Sequence, residues 1–282
     1  MAVEEHRIEV DGLLTRHLRA GEGPPLVLLH ALGESALDWR WVLPDLVRAH
    51  RVYAPDLPGF GDSAKPAADY SPAFFTRFVA AYLDTLGIER TAVAGNSLGG
   101  LVALRLALSE PARVSALSLI SSVGLGRAVS YVLRSATLPG YGELAIAWSR
   151  TPFGAAQRAW LRARLLFAHP RLAPTDWMRE QRRLAQLPGF LEAELAALRA
   201  QTHLGGQREV LLDQLPTLEI PTLVVWGTSD RVLPTSQARE AVARLREGSL
   251  ELIPNCGHLP HVEQPDRFVV ALGRFLGEQT HH

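Results

Sequence analysis

The sequence predicts an α/β fold: a mostly parallel central sheet with helices on both faces, interrupted by one helical insertion. Three observations predict it. Short apolar runs alternate with longer amphipathic stretches along most of the chain. Such alternation implies parallel strands joined by helices that cover both sides of the sheet. Between about Val123 and Leu218 the alternation stops, and the pattern there is helical throughout.

The elements follow in order. Arg7–Arg19 alternates in character around a turn at Asp11-Gly12, which reads as an antiparallel hairpin at the sheet edge. Leu26-Val27-Leu28-Leu29-His30 follows Gly23-Pro24-Pro25 and reads as a buried strand. A helix is expected over Leu37–Ala49, a strand over Arg51–Ala54 and a helix over Pro72–Leu86. In the last, Phe74, Phe75, Phe78, Val79, Tyr82, Leu83 and Leu86 share one helix face. Thr91–Ala94 and Val114–Ile120 read as strands flanking a helix over Leu98–Ser109. Past the insertion come a strand Thr222–Trp226, a helix Thr235–Arg246, a strand Leu250–Ile253 and a helix Asp266–Leu276. Residues 1–122 and 219–282 are accordingly assigned to a core domain, and 123–218 to a helical lid.

The lid is punctuated by Pro139-Gly140, Pro170, Pro174 and Pro188-Gly189, and it holds Trp148, Trp160 and Trp177. It carries 12 Arg and no Lys against 7 acidic residues, a local charge of +5 that the rest of the chain balances with −5. These arginines read as a solvated helix surface. The competing reading has one or two of them facing an anionic substrate.

Composition narrows the function classes. The chain has 282 residues, 47% hydrophobic and 21% charged, with a net charge of zero. A chain of this size buries most of its unfolded surface without staples. Charge balance argues against a nucleic-acid binder, and high apolar content argues against disorder. Cys256 is the single cysteine, which excludes an internal disulfide and a multi-cysteine metal site. The acidic start MAVEEHRIEVDG is not a secretory signal, and no apolar run approaches the ~20 residues that span a bilayer. The expectation is a soluble cytoplasmic protein with no membrane and no nucleic-acid partner, monomeric or homodimeric. His281 and His282 read as a tag remnant.

The chemistry concentrates in Thr91-Ala-Val-Ala-Gly95-Asn96-Ser97-Leu98-Gly99-Gly100, a strand, then G-x-S-x-G, then a helix. A sharp strand-to-helix turn leaves the serine strained and its hydroxyl exposed. Gly95 and Gly99 make room for backbones passing close by. A serine hydroxyl is a weak nucleophile and needs a base, which in turn needs an orienting acid. Asp230 follows the strand Thr222–Trp226, and His258 follows the next strand. Sites in open α/β sheets form at that edge. The strand Val114–Ile120 runs into Ser121-Ser122-Val123-Gly124 with no carboxylate, which favours Asp230 as the acid. The chain order Ser97, Asp230, His258 is the one expected for α/β-hydrolases.

Nearly the whole chain therefore resembles the α/β-hydrolase family, in its branch with a serine nucleophile. Leu28-Leu29-His30-Ala31-Leu32-Gly33 looks like the family's oxyanion loop, with Ala31 in place of the usual glycine. Asp56-Leu57-Pro58-Gly59-Phe60-Gly61-Asp62-Ser63 is similar to a recurrent family turn. Gly257-His258-Leu259-Pro260-His261-Val262-Glu263 matches the histidine loop. The resemblance implies catalytic Ser97, Asp230 and His258, with an oxyanion hole formed by the backbone N–H groups of Leu32 and Leu98. His30, His261 and Glu263 read as loop-holding residues, Asp56 and Asp62 as turn or capping residues, and Cys256 as a small buried side chain. The histidines are too scattered for a metal site, and no dinucleotide or phosphate cradle occurs. No cofactor and no metal are expected.

The expected activity is hydrolysis of a carboxylic ester or related acyl substrate through an acyl-enzyme on Ser97. Helices rich in Leu, Ala and Trp over the site favour a small-to-medium, mostly apolar substrate. A serine nucleophile speaks against the dehalogenases and epoxide hydrolases of the family, which use aspartate. The alternative is carbon–carbon bond hydrolysis of vinylogous diketones. Gly95-Asn96-Ser97-Leu98-Gly99-Gly100 and Ser122-Val123-Gly124-Leu125-Gly126 look like strings in such enzymes, whose substrates are anionic. Leu259, where those enzymes often carry Trp, departs from that pattern. Acyl transfer, lactone hydrolysis, perhydrolysis and a small-molecule receptor remain lesser readings.

Overall fold

A computed structural model describes residues 3–279; Met1, Ala2 and residues 280–282, including the pair His281-His282, lie outside the described residues. The chain opens with β1 (Glu4–Val10) and β2 (Leu13–Ala20), paired antiparallel through the turn at Asp11-Gly12. Then come β3 (Pro25–Leu29), α1 (Leu43–Leu46), β4 (Arg51–Pro55), α2 (Pro72–Thr85), β5 (Thr91–Asn96), α3 (Leu98–Ser109) and β6 (Val114–Ile120). An insertion carries α4 (Tyr131–Ala136), α5 (Tyr141–Ser149), α6 (Pro152–Leu166), α7 (Thr175–Leu184), α8 (Phe190–Gln201), β7 (Thr202–His203) and β8 (Gly206–Gln207). The chain closes with β9 (Thr222–Gly227), α9 (Ser236–Val242), β10 (Gly248–Ile253), α10 (Pro260–Glu263) and α11 (Pro265–Gln279).

Eight strands form one sheet in the order β1-β2-β4-β3-β5-β6-β9-β10. The hairpin is its antiparallel edge, and β4 to β10 run parallel. The inner strands read as continuous apolar runs because both faces are covered. Alternate residues feed opposite layers. Val27, Leu29, Val93, Leu117 and Val224 pack with α2, α3 and α9. Leu26, Leu28, Ala92, Ala116 and Leu223 pack with Trp39, Leu43 and the apolar face of α11.

Two expected helices come out shorter. The stretch Leu37–Ala49 divides into a 3₁₀ segment Ala36–Trp41 and the single turn of α1. Pro44 has no N–H to donate, so it sits in the first turn of α1 instead of continuing a longer helix. Thr235–Arg246 contracts to Ser236–Val242. The insertion is not wholly helical either. Its β7 and β8 form a two-residue antiparallel ladder joined by a turn at Leu204-Gly205, with Gly206 of β8 in a positive-φ conformation of 122°. The extended stretch starts where α8 ends, at Thr202, a β-branched residue suited to it.

The insertion leaves the sheet after β6 and returns at β9, its neighbour in the sheet. Its inner side chains, among them Phe167, Trp177, Leu184 and Phe190, join the same apolar cluster as α2 and α3. This sets α6 and α8 over the C-terminal ends of the strands, where the loops after β3, β5, β9 and β10 meet. Among the described residues, no helix is long and apolar enough to cross a membrane.

Candidate active site

β5 passes into α3 through Ser97 alone, with φ 54° and ψ −111°. This is the left-handed region, where a side chain other than glycine costs about 1–3 kcal/mol. The neighbours over-determine it: Ser97 N–H donates to Ile120 O at 2.9 Å, and Val123 N–H donates to Ser97 O at 3.2 Å. A Cβ at Gly95 would strike the Gly99 backbone, and one at Gly99 would strike the carbonyls of Leu29 and His30. The two glycines therefore let α3 start directly against β5 and β3.

Asp230 and His258 arrive from the ends of β9 and β10. His258 Nδ1 lies 2.8 Å from Asp230 Oδ2. The other oxygen, Oδ1, accepts from the N–H groups of Val232 and Leu233 at 2.7 and 3.1 Å. A carboxylate held on both oxygens fixes the tautomer: Nδ1 carries the proton, and Nε2 is left to accept one. Both side chains are buried. Ser97 and His258 line one cavity of about 580 Å³, whose walls are mostly apolar side chains of the insertion.

The loop 30–34 supplies the opposite wall. His30 bridges it to the next loop, with Nδ1 on Ala31 O at 2.8 Å and Nε2 accepting from Leu57 N–H at 2.9 Å. Ala31 is buried and lines the cavity, so its methyl group is accommodated. Gly33 has φ 72°, and a Cβ there would strike Glu194 and Arg162. Leu32 also lines the cavity, while Leu98 opens α3 and has no acceptor for its N–H within the helix. Asp56, buried, accepts from Ala36 N–H, Asp62 N–H and Arg16. Asp62 receives both guanidinium nitrogens of Arg183 at 2.9 Å, which ties the insertion to the core.

A family model for the alpha/beta hydrolase fold matches residues 24–265. The chain belongs to the α/β-hydrolase fold family. An uncharacterised protein of Mycobacterium tuberculosis is 36% identical over 91% of this chain and 76% of its own length. The 2-hydroxymuconate semialdehyde hydrolase of Pseudomonas sp. strain CF600 is 33% identical over 95% of this chain and 92% of its own. Among solved structures, a bacterial membrane phospholipase A superposes with a TM-score of 0.82 at 29% identity, covering 99% of this chain and 87% of that one.

This α/β-hydrolase also carries site residues that the sequence did not reveal. Arg162 of α6 donates to Leu32 O at 3.0 Å, to Glu34 at 2.5 Å and to Glu194 at 2.7 Å. Arg158 pairs with Glu194 at 2.6 Å. Glu34 is fully buried and also accepts from Trp177 Nε1 and Gln181 Nε2. Burial opposes charge on Arg162, but Glu34 and Glu194 outweigh it and hold its pKa above the ordinary arginine value. Burial likewise opposes charge on Glu194, and Arg158 and Arg162 pull its pKa below the ordinary carboxylate value. Burial, and then the nearby Glu34, push the Asp38 carboxyl well above its ordinary value. Two arginines of the insertion thus line the cavity, yet each is already matched by a carboxylate. Only the Gly33-Glu34 pairing of a glycine and an acid marks this cluster in sequence, and Glu34 meets its arginine 128 residues away.

The histidine loop is tied to the insertion. His258 N–H donates to Leu166 O at 2.7 Å, and Glu263 accepts from the N–H groups of Gly257, Ala168 and His169. Asn96 Nδ2 reaches Ile120 O and His258 O. His261 stacks on Trp39 at 4.2 Å, and burial, followed by neighbouring His258, pushes its pKa down to about 3. Cys256 is fully buried, and burial followed by nearby Glu263 raises its thiol far above the usual cysteine range.

Proposed function

We propose that this α/β-hydrolase is a serine hydrolase of carboxylic esters or related acyl substrates, small to medium in size and mostly apolar. One observation carries the reading: the strained Ser97 and His258, itself paired with the buried Asp230, line a single, mostly apolar cavity. Ser97 Oγ attacks the substrate carbonyl, and His258 Nε2 takes its proton. Asp230 holds the imidazole tautomer and stabilises the imidazolium. The N–H groups of Leu32 and Leu98 receive the oxyanion, and one such donor is worth ~3–4 kcal/mol in the transition state. His258 then protonates the leaving group, and water resolves the acyl-enzyme. The helices 123–218 act as a lid that excludes water from this step.

Carbon–carbon hydrolysis has the similarity to the Pseudomonas semialdehyde hydrolase in its favour. The cavity charges favour the ester reading. An anionic dienoate needs a cation, and Arg158 and Arg162 are already paired with Glu194 and Glu34. Desolvating an anion beside a compensated cluster gains little. The test is turnover of p-nitrophenyl esters from acetate to dodecanoate, with Ser97→Ala as control. We expect a rate maximum at intermediate acyl length and no turnover by the variant. Near-native activity in Ser97→Ala would overturn the mechanism. Inactivity on every ester, with turnover of a vinylogous diketone acid, would move the assignment to carbon–carbon cleavage.

A further inference from the structure

The outer face of the insertion is unlike the rest of the surface. Tyr131, Leu144 and Phe153 are 72%, 73% and 69% exposed, and Tyr141, Trp148 and Leu161 are exposed as well. These side chains are not scattered. Tyr141, Leu144, Trp148 and Leu161 also line the cavity, so the apolar surface runs without interruption from the mouth into the site. Phe153 extends it, with its ring 5.8 Å from that of Trp148. A contiguous exposed apolar patch marks an interaction site.

Charge identifies the partner. Each of the 7 acidic residues between 123 and 218 is already in an ion pair: Glu143, Asp176, Glu180, Glu192, Glu194, Glu209 and Asp213. Core carboxylates reach two of the arginines as well, Glu34 on Arg162 and Asp62 on Arg183, yet among the described residues Arg127, Arg134, Arg164, Arg171, Arg182 and Arg208 have no ion pair. Two of these arginines stack on exposed aromatic rings of the insertion. Arg134 stacks 5.4 Å from the Tyr131 ring, and Arg164 stacks 4.7 Å from the Trp160 ring. Among the described residues, neither forms an ion pair with a carboxylate.

We infer that this face docks peripherally on an anionic phospholipid surface, with the cavity mouth turned toward the lipid. Apolar side chains enter the boundary between headgroups and acyl chains. Tyr and Trp suit that depth, and guanidiniums pair with headgroup phosphates. A second copy of this chain fits poorly, because face-to-face association would oppose two insertions of +5 each. The expectation of no membrane partner rests on the lack of an apolar run long enough to span a bilayer, and peripheral docking needs no such run.

The test is co-sedimentation with sucrose-loaded vesicles of phosphatidylcholine, with and without phosphatidylglycerol. We expect binding that requires phosphatidylglycerol and falls with added salt. Arg134→Gln with Arg164→Gln should weaken it roughly tenfold, and Phe153→Asp by a similar factor of about ten. None of these three residues lines the cavity, so circular dichroism and hydrolysis of a soluble ester should stay as in the parent and verify folding. A chain that stays in the supernatant with every vesicle would overturn the proposal. So would equal binding to phosphatidylcholine alone, or a dimer in light scattering that Phe153→Asp converts to monomer. Binding is read without turnover, so its failure is separable from failure of the ester assignment.

Discussion

Arg162 joins three things: the carbonyl of Leu32, the buried Glu34 and Glu194 on the facing helix. Its hold on the Leu32 carbonyl orients the loop whose N–H we assign to the oxyanion. That makes Arg162 a positioning residue. Arg162→Gln should lower kcat about tenfold to a hundredfold with KM little changed, because the misplaced donor serves the transition state more than the ground state. Steady-state kinetics on the preferred ester will check it, and an unchanged kcat would remove Arg162 from this role. Arg162→Lys should recover only part of the loss, since one ammonium cannot reproduce the planar fork across these partners. Nothing near Arg162 in sequence points to this role. Its partners are set by the packing of α6 across the strand ends.

Elements whose cause is local were legible in sequence; those fixed by distant contacts were not. β3, β5, β6 and β9 are apolar runs bounded by Gly, Pro or charged residues, and the elbow at Ser97 carries its glycines beside it. Asp230 stands out because it follows β9, and His258 because it follows the short strand β10. The 3₁₀ segment Ala36–Trp41 reads as helix in sequence because its apolar spacing is helical, while Pro44 interrupts the continuation. The ladder β7–β8 is too short to show a period. The sequence reading of the lid arginines as solvated did not anticipate Arg158 and Arg162, whose acidic partners come from α8 and from the loop after β3. At this scale glycine has opposite meanings in two helices. Gly99 of α3 sits against backbone carbonyls, whereas a Cβ at Gly273 of α11 would meet nothing within 4 Å. Gly273→Ala should therefore stabilise the fold by about 0.5–1 kcal/mol. Urea unfolding will measure it, and a loss of stability would show a constraint on α11 that packing does not reveal.

For the whole molecule, one pH lever lies in buried histidines. His17 is set in the edge hairpin against Tyr82, with Nδ1 2.6 Å from the phenol oxygen. Burial first, then His6 and Arg19, lowers its pKa from 6.5 to about 4. The unfolded chain thus binds a proton below pH 6.5 that the folded chain refuses until about pH 4. Stability rises with pH wherever the unfolded state holds more protons. His17 accordingly contributes nothing unfavourable above pH 6.5, and stability falls as the pH drops from there toward 4. His261 acts in the same direction and extends the loss lower still. Thermal melts across this range should show a falling Tm, and His17→Gln should make the fall shallower. Parallel curves for parent and variant would exclude His17 as a source.

Cys256, the single cysteine, is sealed beneath the histidine loop. The native chain therefore offers no accessible thiolate to alkylating reagents. A cysteine introduced at Leu172, 75% exposed within the insertion, would accept a fluorophore or spin label as the sole reactive thiol. The position of the proposed lid could then be followed directly, with no background labelling and no native residue to remove.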